Sequence, residues 1–412
     1  MNIAIVGATL QAKVFAVVLA EVGHRIHWLV PHLPQDGELS ERINTLHEKG
    51  HITFVHNVAH LPHDLETCLL CYRPTEKENA LLFLDALKTI PTPHLTMMIN
   101  GSTFGLHGTA QLQAKSPQYE WSYLPDTIQE GNALKSFLEA KQIMVGLQSE
   151  ASRTWMDEFL RPFFPLAHQK LFMPILDAEL AKLSISGMLA TRISYMNDVA
   201  HVAETLGVDI LNIKQGMAAD TRIGASYLSP GVGFGGENFS HDILMLSSEV
   251  SKSGAKSRLL EQVWEINEDQ KEILFRKLWD YYNTNLQGKT IAIWGASFKE
   301  NSGNTHNSPI HKMLSALWAQ GATVKLHDPE ALPEILECYG NREDLILTDD
   351  PYLATEHADA LCVMTAWRCY YSPNYQRLLQ TMNHPLILDG RNIYHPDHMK
   401  HLGFIYQGVG RC

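Results

Sequence analysis

Residues 2–6 (Asn2-Ile3-Ala4-Ile5-Val6) form an almost wholly apolar run that Gly7 interrupts. Apolar side chains then recur at Val14, Val17, Val18, Leu19 and Val22, a helical spacing. Gly23 ends that pattern, and residues 25–30 make a second strand-like run. Strand, turn, helix and strand within about 30 residues form a βαβ unit of the dinucleotide-binding type. Residues 66–72 and 95–100 read as further strands. The longest helical pattern covers residues 177–206, with Leu180, Leu183, Met188, Leu189, Ile193, Met196, Val199 and Ala200 in period, no proline, and Gly207 at its end. Helical segments continue to about residue 282. A second βαβ unit then opens at Gly288: strand 290–294, turn 295–299, and a helix over 308–320 that starts on Ser308-Pro309, a good N-cap and N1 pair. Strands follow at 322–327, 358–364 and 385–388. The pattern predicts an α/β fold with two Rossmann-like doubly wound domains joined by a long central helix and a helical middle region. The boundaries it sets are 1–168, 169–282 and 283–412.

Composition narrows the function classes. The chain has 412 residues, 45% hydrophobic and 19% charged, an ordinary globular balance. Its net charge of −12 speaks against nucleic acid as a partner. No apolar run reaches the ~18 residues of a membrane span. The opening strand lacks a signal-peptide pattern, so a cytoplasmic location is expected. Six cysteines (68, 71, 338, 362, 369 and 412) do not form a disulfide framework. Cys68 and Cys71 make a C-x-x-C within an apolar run, where packing explains them better than metal. The histidines before residue 64 fall in loops without ligand spacing and read as surface residues; no metal site is expected.

Two stretches carry candidate chemistry. The first turn, Gly7-Ala8-Thr9-Leu10-Gln11-Ala12, departs from the dinucleotide fingerprint G-x-G-x-x-G/A. Ala12 is acceptable at the last position, but Thr9 puts a side chain where a pyrophosphate needs bare backbone. Val30 or Pro31 stands where a ribose-binding acid belongs. The second stretch is Pro230-Gly231-Val232-Gly233-Phe234-Gly235-Gly236-Glu237-Asn238-Phe239-Ser240-His241-Asp242, preceded by Arg222-Ile223-Gly224 and Tyr227-Leu228-Ser229. Four glycines in six positions let a phosphate, a sugar or another turn of chain approach the backbone.

Here the chain resembles the UDP-glucose/GDP-mannose dehydrogenase family, whose run reads F-L-x-P-G-x-G-F-G-G-x-C-x-x-K-D. Further motifs extend the resemblance: Ala178-Glu179-Leu180-Ala181-Lys182 for A-E-x-x-K, Gly295 to Lys299 for G-x-x-F-K, and Asp389 to Asn392 for D-G-R-N. The resemblance implies a UDP-sugar held by Arg222, Tyr227, Leu228, Phe234, Gly235, Gly236, Phe298, Lys299 and Arg391. It implies NAD at Gly7, Thr9, Ala12 and His306, and catalysis at Asp126, Lys182, Ser186, Asn238 and Asp242. Several of these depart from the family pattern. Asn238 replaces the nucleophilic cysteine, His241 a lysine, Ser186 an asparagine, and His306 an arginine that reaches NAD. Asp126 is one methylene shorter than the family's glutamate and equally suits a turn after Pro125. Lys182 and Asp242 are kept. The expectation is a protein that binds a UDP-sugar but is impaired in the NAD-dependent four-electron oxidation. Two alternatives remain open: an active NAD-dependent nucleotide-sugar dehydrogenase, and a structural subunit partnering an active relative. The resemblance also implies a dimer seam along the 177–206 helix, and a homodimer is expected.

Overall fold

The structure, a computed structural model, describes residues 1–30, 39–254 and 258–411. Pro31 and Cys412 lie outside the described residues. The chain divides into two compact units, Met1–Ile185 and Ser186–Cys412.

The strands of the first unit are β1 (Asn2–Val6), β2 (Arg25–Leu29), β3 (Ile52–Val55), β4 (Thr67–Leu70), β5 (Met97–Asn100), β6 (Glu120–Tyr123), β7 (Ile143–Leu147) and β8 (Lys170–Pro174). Helices α1 (Leu10–Glu21), α2 (Ser40–Glu48), α3 (Lys77–Leu87), α4 (Gly108–Lys115), α5 (Ala133–Leu138) and α6 (Glu150–Leu160) connect them, and α7 (Ile175–Leu206) follows β8 directly. The sheet order is β3-β2-β1-β4-β5-β6-β7-β8, so the order reverses between β1 and β4. All neighbours are parallel except β6 and β7, which run antiparallel. This is a doubly wound sheet with a two-strand extension. Its apolar β1 is explained by burial on both faces: Ile3 and Ile5 pack with α1, while Ala4 and Val6 pack with Phe83, Met98 and Trp121.

The second unit contains β9 (Thr290–Trp294), β10 (Thr323–His327), β11 (Leu345–Leu347), β12 (Ala360–Val363), β13 (Leu386–Asp389) and β14 (Ile405–Gly408). They form one parallel sheet ordered β11-β10-β9-β12-β13-β14. Its helices are α8 (Ile210–Ala219), α9 (Glu237–Lys252), α10 (Leu259–Gln270), α11 (Ile273–Tyr281), α12 (Pro309–Ala319), α13 (Leu332–Tyr339), α14 (Pro351–Thr355), α15 (Tyr375–Thr381) and α16 (Pro396–Leu402). The predicted start of α12 is as observed: Ser308 Oγ accepts from Ile310 N, with Pro309 at N1. β9 repeats the two-faced burial of β1.

Of the histidines expected in loops, His27 lies in β2 and His47 in α2. His47 Nδ1 donates to Ile52 O at 2.8 Å, a local bond that the spacing of residues does not reveal. No helix among the described residues is long and apolar enough to cross a membrane.

Candidate functional site

In doubly wound sheets ligands bind beyond the carboxyl ends of the strands, where the strand order reverses. In the first unit that place lies between the turns after β1 and β4. Gly7 has φ +109°, and a Cβ there would collide with Cys71 O, so the turn after β1 lies directly on the end of β4. Thr9 is the N-cap of α1: its Oγ1 accepts from Ala12 N at 3.3 Å and donates to Cys71 O at 3.2 Å. Val30 follows β2, is buried, and its carbonyl accepts from His56 Nδ1 at 3.2 Å. Asp126 Oδ1 accepts from Ile128 N at 3.1 Å, a bond of the turn type that was one of the two roles expected of it. Lys182 is 6% exposed, not the solvated helix lysine that is the commoner case. One turn earlier on α7, Glu179 accepts from His107 N and Thr109 N, both at 2.8 Å. Burial raises its carboxyl pKa above the ordinary value.

The second unit holds the glycine stretch. Another turn of chain is what approaches these glycines. A Cβ on Gly235 would stand 2.6 Å from Asn307 O, and one on Gly236 3.0 Å from the Phe298 ring. Asn267 of α10 clamps the stretch, accepting from Phe234 N at 2.7 Å and donating to Phe234 O at 3.2 Å. Asn197 of α7 accepts from Gly231 N, and Gln270 donates to Gly231 O. Gly236 N donates to His306 O at 2.8 Å, so the backbone of His306 is structural while its side chain is exposed. Phe234 and Leu228 are buried, Phe234 against Phe239 and Trp264. Tyr227 holds φ +58°, an uncommon backbone for a bulky residue, with its ring 42% exposed. Arg222 is exposed and ion-paired with Asp220 at 2.6 Å.

The stretch delivers the chain into α9. Asn238 is exposed in its first turn, and Asp242 lies one turn on and is buried. Ser186 Oγ of α7 donates to Asp242 Oδ2 at 2.7 Å, so these two expected residues meet.

Arg391 follows β13. Its Nε donates to Met364 O at 2.6 Å and its Nη2 to Phe298 O at 3.2 Å. Desolvation by burial lowers its pKa from the usual value. No carboxylate among the described residues stands within ion-pair distance of it. Asp389 instead fixes the backbone, accepting from Arg391 N, Tyr394 N and the Tyr406 hydroxyl, and burial raises its pKa. Lys299 Nζ lies 5.5 Å over the Phe298 ring.

Asp328 was not singled out by the sequence. It ends the second strand of a βαβ unit, where a ribose acid belongs, and that position was the available signal. Its Oδ2 accepts from Ala296 N at 2.7 Å and Ser297 N at 3.0 Å, and its Oδ1 from Glu330 N and Ala331 N. The carboxylate is turned onto its own βα turn.

Residues 176–269 match the central domain of the UDP-glucose/GDP-mannose dehydrogenase family, and residues 292–396 its UDP binding domain. The chain is 30% identical to the UDP-glucose 6-dehydrogenase of Bacillus subtilis over 324 residues, 76% of this chain and 68% of that one. It belongs to the UDP-glucose/GDP-mannose dehydrogenase family. The UDP-glucose 6-dehydrogenase of Pseudomonas aeruginosa is 35% identical over 294 residues, 70% of this chain. That match spans 64% of the Pseudomonas protein, a little under two thirds of its length. A UDP-glucose dehydrogenase structure from Pyrobaculum islandicum shares the fold, with a TM-score of 0.87 at 22% identity over 100% of this chain and 98% of that one.

NAD is the cofactor expected of this family. The turn after β1 does not fit it: Ala12 N, a donor that a pyrophosphate would use at a helix N-terminus, is taken by the Thr9 hydroxyl.

Proposed function

We propose that this member of the family binds a UDP-sugar in its second unit and does not carry out the NAD-dependent four-electron oxidation. The observation that carries the binding half is Arg391, a half-buried guanidinium held by carbonyls. No carboxylate among the described residues lies within ion-pair distance of it, and Glu300 and Asp389 act on it only from further off. A cation in that state favours an incoming anion, and a diphosphate supplies it. Lys299 and the loop over Phe234, Gly235 and Gly236 stand with it as substrate-contact residues.

The non-oxidising half rests on Asn238. Oxidation of a sugar alcohol to the carboxylate needs the intermediate aldehyde trapped by a nucleophile. An amide nitrogen, its lone pair delocalised, does not trap it. Addition of UDP-glucose is expected to raise the melting temperature, and Arg391→Ala to remove that shift. No shift with any UDP- or GDP-sugar would overturn the reading. Asn238→Cys alone is expected to form no NADH, because the turn after β1 is unchanged.

A second reading, an active dehydrogenase, draws on the burial of the kept Lys182 and on the kept Asp242, to which Ser186, in place of the family's asparagine, still donates a hydrogen bond. It predicts NADH formation from a nucleotide sugar that Lys182→Ala abolishes. A homodimer accords with the exposed apolar side chains along α7, among them Leu180, Met188, Tyr195 and Leu206.

A further inference from the structure

The geometry points to a dinucleotide crevice in the first unit that is closed by two side chains of its own first helix, Thr9 and Gln11. This deepens the non-oxidising reading above and is independent of UDP-sugar binding. The crevice of a doubly wound sheet runs over the residues that follow β1, β4, β5 and β6. Here those are Gly7, Cys71, Gly101 and Leu124.

Thr9 crosses the gap between the two central strands, donating to Cys71 O while capping Ala12 N. Both sides of its hydroxyl are engaged. Gln11, in the first turn of α1, is 2% exposed and reaches further. Its Nε2 donates to Leu124 O at 3.1 Å, beyond β6. Its Oε1 lies where a Cβ on Gly101 would be, beyond β5. The two side chains thus bind carbonyls after β4 and β6 and cover the backbone after β5. At the other end of the crevice Val30 is buried and offers no carboxylate to a ribose.

Thr9 caps α1 as an N-cap threonine ordinarily does, and in addition donates to Cys71 O across the gap. Both side chains here have specific partners, so a dinucleotide would have to break their bonds and strand buried carbonyls. The closure is built into the packing of α1 on the sheet.

The test is NADH titration of the full chain, followed by energy transfer from tryptophan and by calorimetry. Wild type is expected to show no saturable binding. Gln11→Ala keeps the cap and is expected to bind weakly. Thr9→Gly with Gln11→Ala is expected to bind NADH at least about tenfold tighter than Gln11→Ala alone. Saturable micromolar binding by wild type overturns the closure. So does a folded double variant, verified by its melting transition, that stays silent. Should the double variant not fold, Gln11→Ala decides: gained binding supports the closure and none overturns it. UDP-glucose titration of the same samples reports on the second unit, so either conclusion can fail while the other stands.

Discussion

Asp328 follows the second strand of its βαβ unit, and Thr9 lies in the turn after the first strand of the other. Yet each satisfies backbone amides of a first βα turn from within the chain, Thr9 one of them and Asp328 two. The carboxylate is the stronger device, since it accepts from four backbone amides while 2% exposed. Asp328→Ala leaves those donors buried and unpaired, and about 3 kcal/mol of stability should be lost in urea unfolding. A loss under about 1 kcal/mol would mean that water replaces the carboxylate. Asn267→Ala should weaken the glycine stretch in the same way, by about 2 kcal/mol, with a lower melting temperature as its readout. Asp328 carried a positional signal in the sequence, whereas Asn267 and Gln11 carried none. Asn267 meets its partner Phe234 across 33 positions, and Gln11 meets Leu124 across 113. The close approach of chain at the glycine positions was legible because the run is short and local; Arg391 and Lys299 were singled out by motifs of the same kind. The sequence also left Lys182 undecided between solvent and site, and its burial on α7 removes the first option.

Among the elements, those with clear patterns were readable: β1, β2, α7, β9 and α12 lie within a residue or two of their expected limits, while α1 starts at Leu10, ahead of the first apolar position of its pattern, Val14. Among the short strands, β4, β5, β12 and β13 stood out as buried apolar runs. By contrast, β3 and β6 mix in polar or exposed positions and β11 has three residues, and these three were not read. The antiparallel turn into β7 was unforeseen, because no hairpin-type loop joins it to β6; α5 intervenes. One element depends on a distant residue in a way that spacing also hides. α4 has no side-chain cap of its own, since its N-cap residue His107 makes none. Glu179 supplies it from α7, placing a carboxylate at the positive end of the helix. Glu179→Ala should therefore lower stability by about 2 kcal/mol, with faster amide exchange confined to α4. Uniform exchange across the first unit would argue against a capping role.

For the molecule as a whole, acidification is the telling perturbation. Burial lowers the pKa of His27, His311 and His327 below the ordinary 6.5. His311 is held on both ring nitrogens, by Tyr339 and by Thr305 O. A lowered folded pKa means that the unfolded chain takes up these protons first, so stability is complete above 6.5 and falls as pH drops below it. The denaturation midpoint should decline from neutral pH to about pH 5.5, and His311→Gln should flatten part of the decline. A midpoint that holds steady would remove burial as the cause. The buried carboxyls Glu179 and Asp389 act oppositely, their contribution shrinking as pH rises above the ordinary carboxyl values. The two-sheet plan itself was legible from the paired βαβ patterns, whereas the division inside α7 was not, because a continuous helical period carries no mark of which core each turn joins. That division has a consequence for synthesis. Ala190, Met196, Ala200 and Ala203 of α7 are buried in clusters completed by residues as late as Leu388 and Val409. On the ribosome the first sheet can close early, yet the later turns of α7 keep an uncovered apolar stripe until residues as late as Val409 have emerged.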